Sequence, residues 1–133
     1  DPETQPILQR LQSDLVSHCQ SALERRLDTA VAQWDPRPAV GVVLAAGGYP
    51  NAYEKGHTIT GLDTPWPATT KVFHAGTQTQ DGNIVTHGGR VLCVSALGNT
   101  IEEAIQLAYA GVDHINWQDM IFRQDIGWRA IDR

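Results

Sequence analysis

The sequence predicts an α+β fold with a long N-terminal helix, a run of mostly antiparallel strands and a second helix. Three observations support this prediction. Apolar residues recur at helical spacing between Ile7 and Leu27, strand-like segments follow up to Leu97, and a second helical pattern begins at Ile101. Strands and helices do not alternate regularly along the chain, which argues against a dinucleotide-binding domain.

The composition is that of one globular domain. The chain has 133 residues, and its 41% hydrophobic and 19% charged residues suit a folded rather than a disordered chain. The formal net charge is -5 and Lys and Arg do not cluster, so we expect no nucleic-acid partner. No uncharged run approaches the roughly 20 apolar residues that a bilayer span needs, so we expect no membrane partner either.

The N-terminal apolar pattern has steps of three and four residues. This spacing predicts one amphipathic helix of about 20 residues. Pro6 suits its first turn, where a missing N–H costs nothing. Thr100 and Glu103 have the spacing of a capping box, which predicts that the second helix starts between them.

Five segments read as strands, over residues 39–46, 58–61, 71–79, 83–87 and 90–97. The first and the last are nearly continuous apolar runs, which is typical of buried strands. Asp81 and Gly82 separate the third segment from the fourth. Since both residue types adopt a positive φ easily, they predict a hairpin at this point.

The cysteines and histidines indicate a cytoplasmic protein without a metal site. Cys19 and Cys93 lie among apolar neighbours and form no CxxC, so we expect two reduced, buried thiols. The five histidines are scattered, and no two share a helical face at i, i+4. No metal-ligating residue is therefore assigned.

The first candidate binding segment is Asp1-Pro2-Glu3-Thr4-Gln5, immediately before the first helix. Two roles are possible for its carboxylates. They cap the helix, where the exposed N–H groups and the dipole stabilise negative charge. Alternatively, they form a polar wall that holds an amine or a hydroxyl of a small substrate.

Two further candidates are rich in glycine. Gly47, Gly48 and Tyr49 follow a buried strand, and the glycines either bring backbone N–H groups close to a ligand or form a tight turn over the tyrosine. Arg90 follows a glycine pair. Its guanidinium suits a phosphate or a carboxylate, and equally a structural ion pair.

No nucleophile and base stand out, so no catalytic residue is assigned. Arg123 and Asp125, in the C-terminal tail, are a candidate structural ion pair. The residues alone indicate a domain that binds a small ligand. They leave open whether this domain is part of an enzyme.

Taken together, several of these segments resemble a known family. They are DPETQP at 1–6, GVVLAAGGYP at 41–50, KVFHAGT at 71–77, GGRVLCV at 88–94 and DIG at 125–127. In this order and at these separations they resemble the C-terminal part of glycinamide ribonucleotide synthetases (phosphoribosylamine–glycine ligases). DPETQ is the most specific of them. These ligases belong to the ATP-grasp superfamily and act in purine synthesis.

The resemblance implies a reaction and its cofactors. ATP phosphorylates the carboxylate of glycine, and 5-phosphoribosylamine then displaces phosphate, which gives glycinamide ribonucleotide. The cofactors are ATP and Mg²⁺, for which Mn²⁺ could substitute. In the family, the metal-binding Glu and Asn and the nucleotide-binding lysines precede the DPETQ segment. We therefore expect this chain to be a fragment that is inactive alone and binds neither ATP nor metal.

The resemblance also implies a domain organisation. Residues 1–34 correspond to the last helix of the ATP-grasp unit and a connector. Residues 35–133 correspond to a β-rich, barrel-sandwich-like C-terminal domain, similar to that of biotin carboxylase. The expected partners are glycine, 5-phosphoribosylamine and the N-terminal and ATP-grasp domains. An apolar face without those domains also predicts a homodimer of the isolated chain.

By motif position, the resemblance implies a set of substrate-binding residues. They are Asp1, Glu3, Thr4, Gln5, Gly47, Gly48, Tyr49 and Arg90, with Arg90 as the anion-binding residue. The alternative function is a non-catalytic barrel-sandwich binding or carrier module. A carrier needs an exposed lysine at a hairpin tip, and the predicted tip at residues 80–83 has none.

Overall fold

The computed structural model describes residues 2–131. The elements are helices α1 (Thr4–Arg10) and α2 (Leu15–Leu23), a 3₁₀ turn (Leu27–Thr29), strands β1 (Ala39–Ala45), β2 (Thr70–His74), β3 (Thr77–Gln80), β4 (Asn83–Thr86) and β5 (Arg90–Leu97), helix α3 (Ile101–Val112) and a 3₁₀ turn (Trp128–Ala130). This is the mixed α and β architecture with antiparallel strands that the sequence predicts. No helix within residues 2–131 is long and apolar enough to cross a membrane.

An antiparallel sheet in the order β1-β5-β2 is the centre of the fold. Val94, in the middle of β5, lies opposite Val42 of β1 and Val72 of β2. All residues of β5 after Arg90 are buried. The nearly continuous apolar run is therefore explained by a strand that is paired on both edges and covered on both faces.

The two faces of this sheet carry different helices. A Cβ added to Gly111 of α3 would lie 2.7 Å from Cγ1 of Val94, so α3 packs directly on the Val94 face. A Cβ added to Gly41 would lie 3.2 Å from both Sγ of Cys93 and Cδ of Pro6, so α1 covers the opposite face. The sheet is thus a middle layer between two helices, since successive side chains of a strand point to opposite faces.

Helix α3 begins as its sequence predicts. The Thr100 hydroxyl accepts a hydrogen bond from the Glu103 N–H (3.2 Å), and the Glu103 carboxylate accepts one from the Asn99 N–H (2.6 Å). The first bond satisfies one of the four N–H groups that a helix start leaves unpaired, and the second attaches the carboxylate to the residue before the N-cap. The small residues Ala104 and Ala108 then face the sheet and are fully buried.

The predicted hairpin is confirmed at its turn. Asp81 and Gly82 both have positive φ values, 50° and 80°, and they join β3 to β4 in a separate two-stranded sheet. Residues 58–61 are not a strand: Thr58 and Thr60 form only isolated bridges. Within residues 2–131, an open three-stranded sheet stands beside this hairpin, so the barrel-sandwich arrangement is not confirmed.

The prediction of one continuous strand over residues 71–79 is wrong. It is two strands, because the chain turns at Gly76, whose N–H donates to the backbone oxygen of Arg90 (3.0 Å). A Cβ at Gly76 would lie 2.6 Å from that oxygen and 2.6 Å from Cα of Gly88. β2 therefore joins β5, while β3 continues into the hairpin.

The predicted long N-terminal helix is also wrong, because it is two shorter helices. Leu11 is extended (ψ 117°) and ends α1. The Asp14 carboxylate then accepts hydrogen bonds from the N–H groups of Val16 (3.2 Å) and Ser17 (3.1 Å) and starts α2. Such a cap stabilises a new helix start, so the chain breaks even though its apolar spacing continues.

The cysteine prediction is half right. Cys93 is buried in β5, and burial raises the pKa of its thiol to about 11. Cys19 is exposed, contrary to the prediction, because α2 buries none of its residues against the part of the chain that the structure describes. The apolar stripe of α2 therefore faces outward.

Asp35 joins the end of α1 to the start of β1. Its N–H donates to the carbonyl of Arg10 (2.7 Å), and the Arg10 guanidinium donates back to the Asp35 carbonyl (3.1 and 3.2 Å). Its carboxylate accepts two hydrogen bonds from the Arg37 guanidinium (2.9 and 2.7 Å). These bonds from Arg37 lower the pKa of Asp35 from 3.8 to about 2.

This lowered pKa makes the junction sensitive to acid. A carboxyl group whose pKa is lower in the folded state stabilises the fold above its unfolded pKa, and this stabilisation disappears as the pH falls towards the folded pKa. We expect Asp35→Asn to lower the urea midpoint at pH 7, and the difference from the wild type to shrink between pH 4 and pH 2 (the range between the two pKa values). Asp28→Asn, at an exposed position, is the control. A difference that does not vary with pH would contradict this role.

Candidate functional site

A pocket of about 410 Å³ lies on the face of the sheet that α1 partly covers. We call it the Arg90 pocket. It is lined by Pro2, Gly41, Val43, Ala45, Tyr49, Arg90, Ile121, Phe122, Arg123 and Ile126. Its volume is within the range of about 300–1,000 Å³ typical of small-molecule sites.

Strand pairing brings three separate segments to the pocket. The register of β1 and β5 shifts between Leu44 and Ala45, and this shift places Ala45 opposite Arg90. On its other edge, Ala45 exchanges two backbone hydrogen bonds with Ile121 (2.8 and 2.9 Å). Arg90, Ala45 and Ile121 therefore lie side by side across the sheet, although they are far apart in the sequence.

The floor and the rim of the pocket differ in chemistry. Gly41, Val43 and Ala45 alternate along β1, so they point to one face and form an apolar floor. Arg90 and Arg123 are the two cationic residues of the lining. An apolar floor with guanidinium groups at the rim suits a ligand that has both a hydrophobic surface and a negative charge.

Tyr49 is fixed in the pocket wall by a glycine. A Cβ at Gly89 would lie 2.3 Å from Cδ2 of Tyr49 and 3.0 Å from Cε1 of Tyr53, so only glycine fits beneath the two rings. The ring centroids of the tyrosines are 6.3 Å apart. The tight turn at Tyr49 that the sequence predicted as one alternative is present, and the ring lies against Gly89, the residue before Arg90.

Gly47 and Gly48 do not line the pocket. A Cβ at Gly47 would lie 2.6 Å from the backbone oxygen of Asp119, and Gly48 has a φ of 93°. Both glycines are therefore required by close backbone packing in the turn. Their expected role as backbone donors to a substrate stays a prediction.

The N-terminal candidates lie in different surroundings. Asp1 is outside the described residues. Glu3 precedes α1, but its side chain makes no capping hydrogen bond. Glu3 and Thr4 are exposed, whereas Gln5 is half-buried. Of this segment, Pro2 reaches the pocket lining, so the structure brings the start of α1 to the site together with Tyr49 and Arg90.

The predicted ion pair in the tail is confirmed. The Arg123 guanidinium donates two hydrogen bonds to the Asp125 carboxylate (2.8 and 2.7 Å). These bonds raise the pKa of Arg123 and lower the pKa of Asp125.

The sequence did not indicate that Ile121, Phe122 and Ile126 line the pocket, because their position depends on pairing with β1. Within residues 2–131, no group of three or more His, Cys, Asp or Glu side chains could hold a metal ion.

The fold and the pocket define a small α and β domain with an arginine-lined pocket on its sheet. Residues 39–129 match the family described as phosphoribosylglycinamide synthetase, C domain, and the chain belongs to this family. This membership confirms the resemblance found in the sequence.

Similar proteins cover the whole chain. It is 60% identical over 133 residues to a phosphoribosylamine–glycine ligase of Vibrio cholerae and 54% identical over 134 aligned positions to one of Escherichia coli. Both matches cover 100% of this chain and 31% of the relative, so the chain spans about a third of the length of these ligases. A crystal structure of phosphoribosylamine–glycine ligase from Thermotoga maritima is similar with a TM-score of 0.72 and 35% identity, over 94% of this chain and 30% of that chain.

The turn at Gly48 gives a test of the site's construction. Gly48 and Gly56 both have positive φ values, 93° and 85°, but only a Cβ at Gly48 would meet a neighbouring atom, the backbone oxygen of Ala52 at 2.3 Å. We expect Gly56→Ala to cost about 1 kcal/mol of unfolding free energy from left-handed strain alone. We expect Gly48→Ala to cost about 3 kcal/mol, because overpacking adds to the strain. Urea unfolding measures both values, and equal costs would contradict the close packing of this turn.

Proposed function

We propose that this chain is the C-terminal part of an ATP-dependent ligase that joins glycine to 5-phosphoribosylamine. The observation that carries the proposal is the similarity of the whole chain, at 54–60% identity, to proteins named phosphoribosylamine–glycine ligase. The pocket supports it, since an arginine-rimmed cavity of this size suits a small anionic substrate.

The chemistry of the ligase explains what such a domain contributes. A carboxylate is a poor acyl donor, so ATP transfers its γ-phosphoryl group to the glycine carboxylate, which forms glycyl phosphate and releases ADP. The amine of 5-phosphoribosylamine attacks the acyl carbon, the bond from that carbon to the phosphate oxygen breaks, and glycinamide ribonucleotide, phosphate and a proton are released. The reaction needs the amine aligned with the acyl carbon, and fixing its phosphate lowers the entropic part of the barrier.

In this proposal the chain binds and orients substrate. Arg90 holds a phosphate or a carboxylate, Tyr49 forms the wall beside it, and the N-terminal segment with Asp1, Glu3, Thr4 and Gln5 faces the reacting groups. Gly47 and Gly48 form the tight turn before Tyr49 and, in the full ligase, offer backbone donors to the substrate. No residue of the chain is assigned to a proton transfer.

ATP and Mg²⁺ belong to another part of the proposed ligase. Residues 2–131 offer no cluster of three metal-ligating side chains. Cys19 and Cys93 are both free thiols, which supports a cytoplasmic location, where thiols stay reduced.

The proposed ligase also explains an apolar surface. Eight large hydrophobic residues between positions 7 and 34 are exposed: Ile7, Leu8, Leu15, Val16, Leu23, Leu27, Val31 and Trp34. Contiguous exposed apolar patches mark interaction surfaces, and we infer that these residues form such a patch. We propose that residues 1–34 pack against the rest of the ligase, and that residues 35–133 form the C-terminal domain. In the isolated chain the same surface would favour a homodimer.

Arg90 gives the direct test of the function. We expect Arg90→Ala in the full-length ligase to raise the KM for 5-phosphoribosylamine about tenfold, because hydrogen bonds to a charged group contribute about 1.5–3 kcal/mol. The KM for ATP is expected to stay unchanged. Steady-state kinetics measure both constants. Arg26→Ala, at an exposed arginine paired with Glu24, is the control. A folded Arg90→Ala ligase with unchanged KM for 5-phosphoribosylamine would remove Arg90 from the site.

Leu23 tests the proposed packing of residues 1–34. Leu23 is 85% exposed and Leu92 is fully buried. We expect Leu23→Ala to be neutral in this chain and to destabilise the full-length ligase by about 2 kcal/mol, as for a buried leucine. Leu92→Ala destabilises both proteins. Equal stability of the Leu23→Ala and wild-type ligases, measured by chemical unfolding, would refute the packing.

A further inference from the structure

The C-terminal tail places a second arginine on the rim of the Arg90 pocket. Ala45 pairs with Arg90 on one edge and with Ile121 on the other. Neighbouring strands lie about 4.8 Å apart, so the backbones of Arg90 and Ile121 are separated by about 10 Å. Arg123 follows Ile121 by two residues and lines the same pocket. Two long side chains that start at this separation can reach a single ligand.

A tyrosine of α3 holds the tail in this position. The Tyr109 hydroxyl donates to the backbone oxygen of Arg123 (2.6 Å) and accepts from the N–H of Ile126 (3.1 Å). Its ring centroid is 6.3 Å from that of Phe122. Because α3 packs on the buried face of the sheet, these bonds attach the tail to a rigid helix. The backbone of Arg123 is thereby fixed relative to the pocket.

A carboxylate orients the Arg123 side chain. Nε and Nη2 of Arg123 donate to the two oxygens of Asp125, at 2.8 and 2.7 Å. This bidentate geometry fixes the plane of the guanidinium. It uses two of the five N–H donors of an arginine, and the Arg123 side chain remains 73% exposed. The other donors are outside this ion pair, on a residue that lines the Arg90 pocket and also a smaller neighbouring pocket that includes Asp125.

We propose that Arg123 is a second anion-binding residue of the Arg90 pocket, and that Tyr109 is the residue that positions it. The ligand class is the phosphate monoester of a sugar. Its phosphate lies between the two guanidinium groups, and its ring lies on the apolar floor formed by Gly41, Val43 and Ala45. This inference rests on the proposed function, because it assigns a binding group for the phosphorylated substrate of that ligase.

Direct binding tests the inference separately from turnover. Ribose 5-phosphate is titrated into the full-length ligase by calorimetry, with ribose as the ligand that lacks the phosphate. We expect Arg123→Ala to weaken ribose 5-phosphate binding about tenfold, as for a lost hydrogen bond to a charged group. Tyr109→Phe keeps the ring but removes both hydrogen bonds, and we expect about threefold weaker binding. Arg123→Lys keeps the charge and is expected to fall between the wild type and Arg123→Ala.

Arg129→Ala is the matched control. Arg129 is in the same tail and stacks on Trp128, but it does not line the Arg90 pocket. We expect wild-type binding from this variant, and thermal unfolding verifies that every variant is folded. If Tyr109 had only a structural role, Tyr109→Phe would lower the melting temperature of the ligase without changing its affinity for ribose 5-phosphate.

The outcomes separate this inference from the proposed function. Wild-type affinity of Arg123→Ala for ribose 5-phosphate overturns the inference, and so does a wild-type ligase that binds ribose as tightly as ribose 5-phosphate. If Arg123→Ala weakens binding but the wild-type protein forms no amide from glycine, the phosphate site stands and the proposed function fails. If the wild-type protein is an active ligase and Arg123→Ala binds normally, the function stands and the inference fails.

Discussion

Strand β5 pairs with β1 on one edge and β2 on the other, and the geometry of the pocket depends on this double pairing. Every residue from Val91 to Leu97 is buried, so a shift of one residue would exchange the two faces of the strand. The register is therefore strongly determined by burial. Because Arg90 immediately precedes this buried run, the same burial fixes where its side chain emerges. A surface residue is thus positioned by the core behind it.

Both faces of the sheet combine close packing with buried polar groups. On the α3 side the contacts are apolar and close, as the 2.7 Å approach at Gly111 shows. On the α1 side, Gln9 donates to the carbonyl of Thr69 (2.8 Å), while Oε1 of Gln5 and Oγ of Ser95 are buried without a partner among residues 2–131. Buried polar groups without partners cost free energy. Oγ1 of Thr70, whose Cγ2 faces Gly111 of α3, is also buried without a partner among residues 2–131, so both sides of the sheet carry this cost.

The predictable parts of the fold are those with local causes. The apolar runs of β1 and β5, the Asp81-Gly82 turn and the Thr100 cap each depend on neighbouring residues, and the structure contains all of them. The breaks depend on distant atoms. The turn at Gly76 follows from its approach to Arg90 and Gly88, which come later in the chain. Similarly, Tyr49 and Arg90 were recognisable as candidates, whereas the pairing of Ile121 with β1 is a long-range contact without a local signal.

The distribution of burial argues for a boundary near residue 35. Within residues 2–131, the buried hydrophobic residues all lie between Val40 and Trp117, inside the range 39–129 that matches the family. Most exposed large hydrophobic residues lie before that range, between Ile7 and Trp34. A segment that belonged to the same core would bury its apolar side chains in it, since each fully buried large side chain contributes about 1.5–3 kcal/mol. Residues 7–34 obtain little of this stabilisation from the described chain. This burial pattern is consistent with the proposed division, in which the first 34 residues belong to a neighbouring unit of the ligase and Asp35, Arg10 and Arg37 form the junction.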